Sequence, residues 1–371
     1  MKAILAFDSY KGCLTAHEAC QAAERGIRDV LPDAEVISLP MSDGGEGLVE
    51  CVCQTLGLPL VEVAVHGPLM EPRQARYALS HDGQTAYMEM AEASGLTLVP
   101  TELRNPMLTT TYGVGEMLLD AVCRGCRRIV MGIGGSATCD GGRGMVEALQ
   151  GHLSYQDGCT YGGDNLSCKG TTCLIDGHHI QVTVASDVSN PLCGPQGAAA
   201  VFAPQKGATP EQVTLLDERL RDFALETVKQ GLADPSLALV PGAGAAGGLG
   251  YGLMAYLKAR LRPGVGLMLD LFGFDRHLSG TDFILTGEGC SDRQTLMGKV
   301  PQGILERSQG IPVHLLSGAV QDVPALLSAG FASVRSINEG DHRPLPILMQ
   351  KDVATANLRQ ACGNLIGCLA K

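Results

Sequence analysis

Met131-Gly132-Ile133-Gly134-Gly135-Ser136-Ala137-Thr138-Cys139-Asp140-Gly141-Gly142 follows a strand-like run, 128–131, and precedes a helix-like run, 143–149. A strand, a glycine-dense loop with Ser and Thr, and a helix start together describe an anion site. Glycines let the backbone come close to a ligand. The first N–H groups of a helix lack internal partners and sit at the positive end of its dipole, where phosphate is the commonest guest. The stretch has no Gly-Lys-Ser/Thr ending, so it is not a P-loop, and it is not a clean dinucleotide fingerprint. Taken alone, a glycine-rich turn explains it equally well. Repetition of the same grammar along the chain favours a ligand.

Working outward, the grammar opens the chain. The run 2–7 reads as a buried parallel strand that ends in Asp8-Ser9-Tyr10-Lys11-Gly12. Ligands of open α/β sheets bind beyond the carboxyl ends of strands, which makes Asp8, Ser9 and Lys11 candidates. Thr15 and Glu18 form a capping-box pattern for a helix that Pro32 stops. A second strand, 35–39, runs into Ser42-Asp43-Gly44-Gly45-Glu46-Gly47 and a helix over 48–56. Asp43 and Glu46 are oxygen donors of the kind a magnesium–nucleotide site uses, although Asp43 could equally cap the helix. The grammar returns near residue 282: strand 283–286, then Gly287-Glu288-Gly289-Cys290-Ser291-Asp292, then helices and strands to a last helix over 352–369.

The middle reads differently. Runs 61–65, 73–80 and 85–90 look like alternating strands, with a hairpin at His81-Asp82-Gly83-Gln84. Thr109, Thr110 and Thr111 open a helix over 114–123, where they either satisfy backbone donors or present hydroxyls to a ligand. Residues 154–173 suggest irregular or hairpin structure, and Asp187 lies just beyond a strand over 181–185. Thr209 and Pro210 start a helix reaching 229. A second glycine-rich run, 241–250, is read as ligand-facing because two such loops occur in one chain. At 371 residues the chain exceeds what one core usually supports. The expected architecture is α/β with two domains. One is a discontinuous doubly wound, flavodoxin- or Rossmann-like parallel-sheet domain, 1–61 and 281–371. The other is a mixed α/β domain, 62–280, inserted into it and carrying the glycine-rich loops. Clefts between domains are the usual ligand sites.

Composition narrows the classes. A net charge of −11 argues against a nucleic-acid partner. The N-terminal apolar run is too short for a signal peptide, and no stretch is long enough to span a membrane, so a cytoplasmic location is expected. The 14 cysteines then read as reduced core thiols, since Cys51/Cys53 and Cys123/Cys126 lack a second pair at zinc-site spacing.

Several stretches together resemble the bacterial glycerate kinase family. They are Asp8 to Gly12, Ser42 to Gly47, Asn105-Pro106 with Thr109 to Gly115, Gly132 to Thr138, and Ser186-Asp187-Val188 with Asn190 to Pro195. Pro241 to Gly248, and Thr286 to Gly289 with Asp292, Gln294-Thr295 and Gly298-Lys299, complete the set. The resemblance implies ATP-dependent phosphorylation of D-glycerate with Mg2+, giving 2-phosphoglycerate, in a cleft between two α/β domains. Four positions depart from the family pattern: Cys139 stands for Asn, Cys290-Ser291 for a basic and an aliphatic residue, and Cys13 for Ser.

Phosphoryl transfer needs donors for the nucleotide phosphates, carboxylates for Mg2+, a cation and a proton acceptor. Gly134, Gly135 and Ser136, with Thr138, are expected as the phosphate cradle, and Lys11 as the cation, with Lys206 and Lys299 behind it. Asp43 and Asp187 are the candidates for the metal or for orienting the hydroxyl; Asp8 and Glu288 follow. Glu288 and Lys299 are placed with the nucleotide, and Ser9, Thr110 and Arg293 with the substrate; Arg143 is eligible by position. The partners are small molecules, with a homo-oligomer left open. The alternatives are a non-catalytic glycerate or nucleotide sensor, and a kinase forming 3-phosphoglycerate or acting on another small hydroxy acid. A dinucleotide oxidoreductase is disfavoured, since no Gly-x-Gly-x-x-Gly follows the first strand.

Overall fold

Lys2–Phe7 and Phe283–Gly287, from opposite ends of the chain, lie side by side as parallel partners from Ala3↔Phe283 to Phe7↔Gly287. Around them the computed structural model builds a five-stranded parallel sheet in the order Ser333–Ser336, Val313–Ser317, Phe283–Gly287, Lys2–Phe7, Glu35–Ser38. It describes residues 1–151, 155–156, 159–160, 166–169, 172–175 and 177–369. The chain divides into two compact units. The first is Met1–Asp43, Glu50–Gly57 and Pro263–Lys371; the second is Gly44–Val49 and Leu58–Arg262.

In the first unit the three central strands are buried along nearly their whole length because both faces are covered, as parallel sheets require. Leu5, Phe7, Phe283 and Leu285 pack with Ile27 of helix Ala16–Val30 and Leu358 of helix Lys351–Leu369. Helix Ala16–Val30 starts where the sequence placed it. The Glu18 N–H donates to Thr15 Oγ1 at 3.3 Å, and the Thr15 N–H donates to Glu18 Oε2 at 3.1 Å. This helix crosses Lys351–Leu369 at Gly26, where a Cβ would lie 2.2 Å from the Arg359 carbonyl oxygen.

The second unit has a six-stranded sheet in the order Arg260–Arg262, Gln181–Ala185, Arg128–Gly132, Thr85–Glu89, Pro72–Leu79, Leu60–His66. The last three form the expected antiparallel meander. The first four are parallel, so the inserted segment shares the βαβ grammar that the sequence reading reserved for the chain ends. Long polar loops delay the crossover helices, Tyr112–Cys123 and Arg143–Gly151, and that spacing hid the pattern. Strand Arg260–Arg262 carries no sequence signal, being three residues with two arginines. The core beneath this sheet gathers Tyr77, Met88, Met117, Met131 and Leu253. Within 154–173, Leu166–Lys169 pairs antiparallel with Thr172–Ile175, while 154, 157–158, 161–165 and 170–171 lie outside the described residues. No described helix is long and apolar enough to cross a membrane.

Gly26→Ala separates propensity from packing. In an open helix the change stabilises by about 1 kcal/mol. Here the added methyl meets the Arg359 carbonyl, and the two helices must separate. A net loss of about 2 kcal/mol is expected, read as a lower urea midpoint. An unchanged or higher midpoint would show that the crossing yields freely.

Candidate active site

The pairing of Phe7 with Gly287 sets Asp8 and Glu288 at neighbouring strand ends. Backbones crowd there: a Cβ on Gly287 would lie 1.7 Å from the Leu316 carbonyl oxygen, and one on Gly318 2.6 Å from that of Gly289. Only glycine fits such an approach. A cavity of about 450 Å3 opens at this place, and it brings together Asp8, Ser9, Lys11, Asp43, Glu288 and Lys299 of the sequence candidates. All six belong to the first unit.

Glu288 is buried and held from three sides. It accepts from Thr295 Oγ1 at 2.6 Å and Ser291 Oγ at 3.1 Å through Oε1, and from Lys299 Nζ at 3.2 Å through Oε2. Sequence reasoning missed the two hydroxyls, since nothing in their spacing marks them as partners of this acid. Asp8 accepts from the Ser9 N–H at 2.6 Å. Burial, and then the neighbouring Asp43 carboxylate, push the Asp8 carboxyl up to about 7. Arg293 lies in the same unit but does not line the cavity; its exposed guanidinium sits 3.4 Å from Asp322.

The remaining candidates, Gly134, Gly135, Ser136, Thr138, Thr110 and Asp187, belong to the second unit. Here the expected open helix start is occupied, which corrects the helix-terminus part of the sequence reading. Asp140 accepts from the Gly142 N–H at 3.0 Å, the Gly144 N–H at 3.2 Å, and both the Thr111 N–H and Oγ1 at 2.8 Å. Thr111 Oγ1 in turn accepts from the Met145 N–H at 3.0 Å. A built-in carboxylate therefore already fills the anion position of helix Arg143–Gly151.

The glycines of the loop serve close approach. A Cβ on Gly134 would lie 2.5 Å from the Gly45 Cα. Ser136 Oγ accepts from Lys206 Nζ at 2.6 Å, and Lys206 also donates to the Thr138 carbonyl at 2.7 Å. Lys206 is buried, and desolvation pulls its ammonium down to about 8. Thr138 Oγ1 is buried with no hydrogen-bond partner among the described residues. Thr109 Oγ1 donates to the Ala137 carbonyl, and Thr110 Oγ1 accepts from the Tyr112 N–H at 3.2 Å, so the threonines hold loops together. Asp187 is exposed beyond the end of strand Gln181–Ala185.

The second glycine-rich run is packed, not ligand-facing as read from sequence. A Cβ on Gly247, with φ +66°, would lie 1.9 Å from the Thr138 carbonyl oxygen, and the Gly141 N–H donates to the Gly247 carbonyl at 3.0 Å. Helix Leu48–Leu56 is capped by Glu89, the last residue of strand Thr85–Glu89: it accepts from the Val49 N–H at 2.8 Å and the Gly47 N–H at 3.2 Å. Among the described residues no three His, Cys, Asp or Glu side chains are grouped to hold a metal ion by themselves.

Comparison with known proteins places this geometry. Residues 3–370 match the model of the glycerate kinase family. A glycerate kinase of Bacillus cereus is 41% identical over 98% of this chain and 97% of its own. A glycerate 2-kinase of Escherichia coli is 42% identical over 87% of this chain and 86% of its own. The crystal structure of a protein described as glycerate kinase 2 from Salmonella typhimurium superposes with a TM-score of 0.82 at 37% identity, covering 100% of this chain and 98% of that one.

Glu89 gives a test of the second unit's electrostatics. Burial pushes its carboxyl from an ordinary 4.5 up to about 7. The folded state therefore binds the proton more tightly than the unfolded chain. Its contribution to stability is complete below about pH 4.5 and is lost as pH rises through about 7. Glu89→Gln should flatten the fall in Tm between pH 5 and 7.5. A slope identical to the parent's would mean that Glu89 stays ionised throughout.

Proposed function

The chain belongs to the glycerate kinase family, and on that premise we propose that it transfers the terminal phosphoryl group of ATP, with Mg2+, to D-glycerate, giving 2-phosphoglycerate. The observation that carries the reading is the first-unit cavity, where Lys11 and Lys299 stand among Asp8, Asp43 and Glu288. Phosphoryl transfer is catalysed chiefly by positioning and charge neutralisation, and this lining supplies charges of both signs.

Lys11, exposed at the cavity, is the cation for the phosphates, acting as a point charge on a flexible stem. Lys299 is tied to Glu288 and holds its ammonium in one place. Asp43 is the residue that would hold Mg2+. The fit is chemical: hard carboxylate oxygens cluster here, and the Asp8 carboxyl is pushed up first by burial and then by the neighbouring Asp43 carboxylate. When bound, Mg2+ supplies neutralisation of phosphoryl oxygens. Mg2+ asks for only one or two protein carboxylates, with water and phosphate oxygens completing its shell.

Asp8 is proposed to receive the proton of the acceptor hydroxyl. A carboxyl poised near 7 is matched to that task at neutral pH, and its Ser9 N–H contact fixes its direction. Asp187 is the alternative acid. Ser9 is placed to donate to the acceptor from the same loop. The buried Lys206–Ser136 pair stiffens the loop Gly134–Thr138, proposed as a second set of phosphate donors.

Phosphorus NMR of the protein with ATP, Mg2+ and D-glycerate should show a new phosphomonoester. A doublet, from coupling to one proton, assigns the 2-position; a triplet would assign the 3-position and correct the product. Lys11→Ala should lower kcat/KM about a hundredfold with Tm unchanged, because the side chain is exposed. No phosphomonoester, with ATP still raising Tm, would replace the kinase by a sensor.

A further inference from the structure

We propose that the apolar wall of the first-unit cavity, formed by Ile337, Leu345, Leu348 and Met349, seats the nucleobase of the phosphoryl donor. The inference rests on the kinase reading and adds the base subsite, which no catalytic requirement specifies.

In the lining, Asp8, Lys11, Asp43 and Glu288 come from the ends of Lys2–Phe7 and Phe283–Gly287 and the segment after Glu35–Ser38, and Lys299 from the start of helix Val300–Arg307. The four wall residues come from the segment after edge strand Ser333–Ser336 and from the short helix Leu345–Leu348 and the residue after it. Three strand steps separate Lys2–Phe7 from that edge strand in the sheet order. At the usual spacing this is about 14 Å, the reach of a nucleotide from its base to its terminal phosphate. A ligand laid across the strand ends would meet lysines at one end and hydrocarbon at the other.

Glycerate has no use for such a wall. It is three carbons bearing a carboxylate and two hydroxyls. The wall offers apolar contact to a flat ring, and ligand pockets are lined mainly by such side chains with few polar groups. Leu345 is 64% exposed and Met349 40% exposed, large apolar groups held open at a cavity that also carries Asp8, Lys11, Asp43, Glu288 and Lys299. Asn338, the polar lining residue next to Ile337, is already committed. Its Nδ2 donates to the Gly318 carbonyl at 2.8 Å and its Oδ1 accepts from Asn357 Nδ2 at 2.8 Å. The wall therefore grips the face of the ring, and its neighbour's amide is spent on holding the segment in place.

The test is the double variant Leu345→Ser/Met349→Ser, which alters two exposed side chains and should keep the parent Tm. Calorimetric titration with Mg2+ and a non-hydrolysable ATP analogue, beside inorganic tripolyphosphate, reads binding without turnover. The analogue should bind about tenfold more weakly to the variant, tripolyphosphate equally to both proteins, and KM for ATP should rise while KM for D-glycerate stays. Unchanged analogue affinity, equal weakening of tripolyphosphate, a rise confined to KM for D-glycerate, or no analogue binding to the parent would each overturn the assignment. If the parent binds the analogue in this pattern but never phosphorylates glycerate, the base subsite stands and the kinase reading fails.

Discussion

Close approach of backbone to backbone at the carboxyl ends of parallel strands is the constraint on which the rest depends. In the first unit, Gly287 leaves no room for a Cβ beside the Leu316 carbonyl, and Gly318 none beside that of Gly289. In the second, Gly132 is pressed against the Gly44 carbonyl, which a Cβ would approach to 2.7 Å, and Gly134 against the Gly45 Cα. Side chains at these positions would push the strand-end loops apart. Without that compression, Asp8 and Glu288 would not share one cavity, and Ser136 would not reach Lys206.

The two units use the polar groups so gathered in opposite ways. The second satisfies its own. Asp140 fills the start of helix Arg143–Gly151, Glu89 that of helix Leu48–Leu56, and Lys206 is buried on Ser136 and the Thr138 carbonyl. Buried charges of this kind are tolerated because hydrogen bonds replace water, and the shifts of Glu89 upward and Lys206 downward measure what desolvation still costs. In the first unit the cavity gathers Asp8, Asp43, Glu288, Lys11 and Lys299, and Glu288 is held there by Thr295, Ser291 and Lys299. On the proposed reading, a magnesium–phosphate ligand is complementary to this mixed lining of acids and lysines.

The sequence disclosed the elements more fully than their assembly. Thr15, Glu18, Thr209 and Pro210 marked helix starts because caps are local, and each stands where its pattern put it. The doubly wound sheet was legible because its strands are apolar runs closed by acid or glycine. The parallel half of the second sheet was not, because loops such as 133–142 separate strand from helix and Arg260–Arg262 looks like surface. In the candidate site, strand-end acids and Lys11 were readable from position alone. Asp140 and Glu89 were not: their roles depend on which helix start reaches them in space. Thr111 caps not its own helix but Arg143–Gly151, a relation no spacing rule contains. The glycine runs misled for the same reason, since a ligand and a neighbouring backbone both demand a missing Cβ.

The departures from the family pattern follow from this geometry. Cys139 is 3% exposed, a small apolar filler in the second unit's core, where a thiol packs without needing a polar partner. Ser291 is buried and bonded to both Glu288 and Ser317, so its hydroxyl is satisfied and adds a second hand on Glu288. Cys290 is the consequential one. It is exposed on the cavity lining and supplies no positive charge there. Lys299 cannot make it good, because Glu288 offsets its charge at 3.2 Å. On the proposed reading, phosphate binding in this chain then falls mainly to Lys11, and nucleotide affinity leans on the apolar wall.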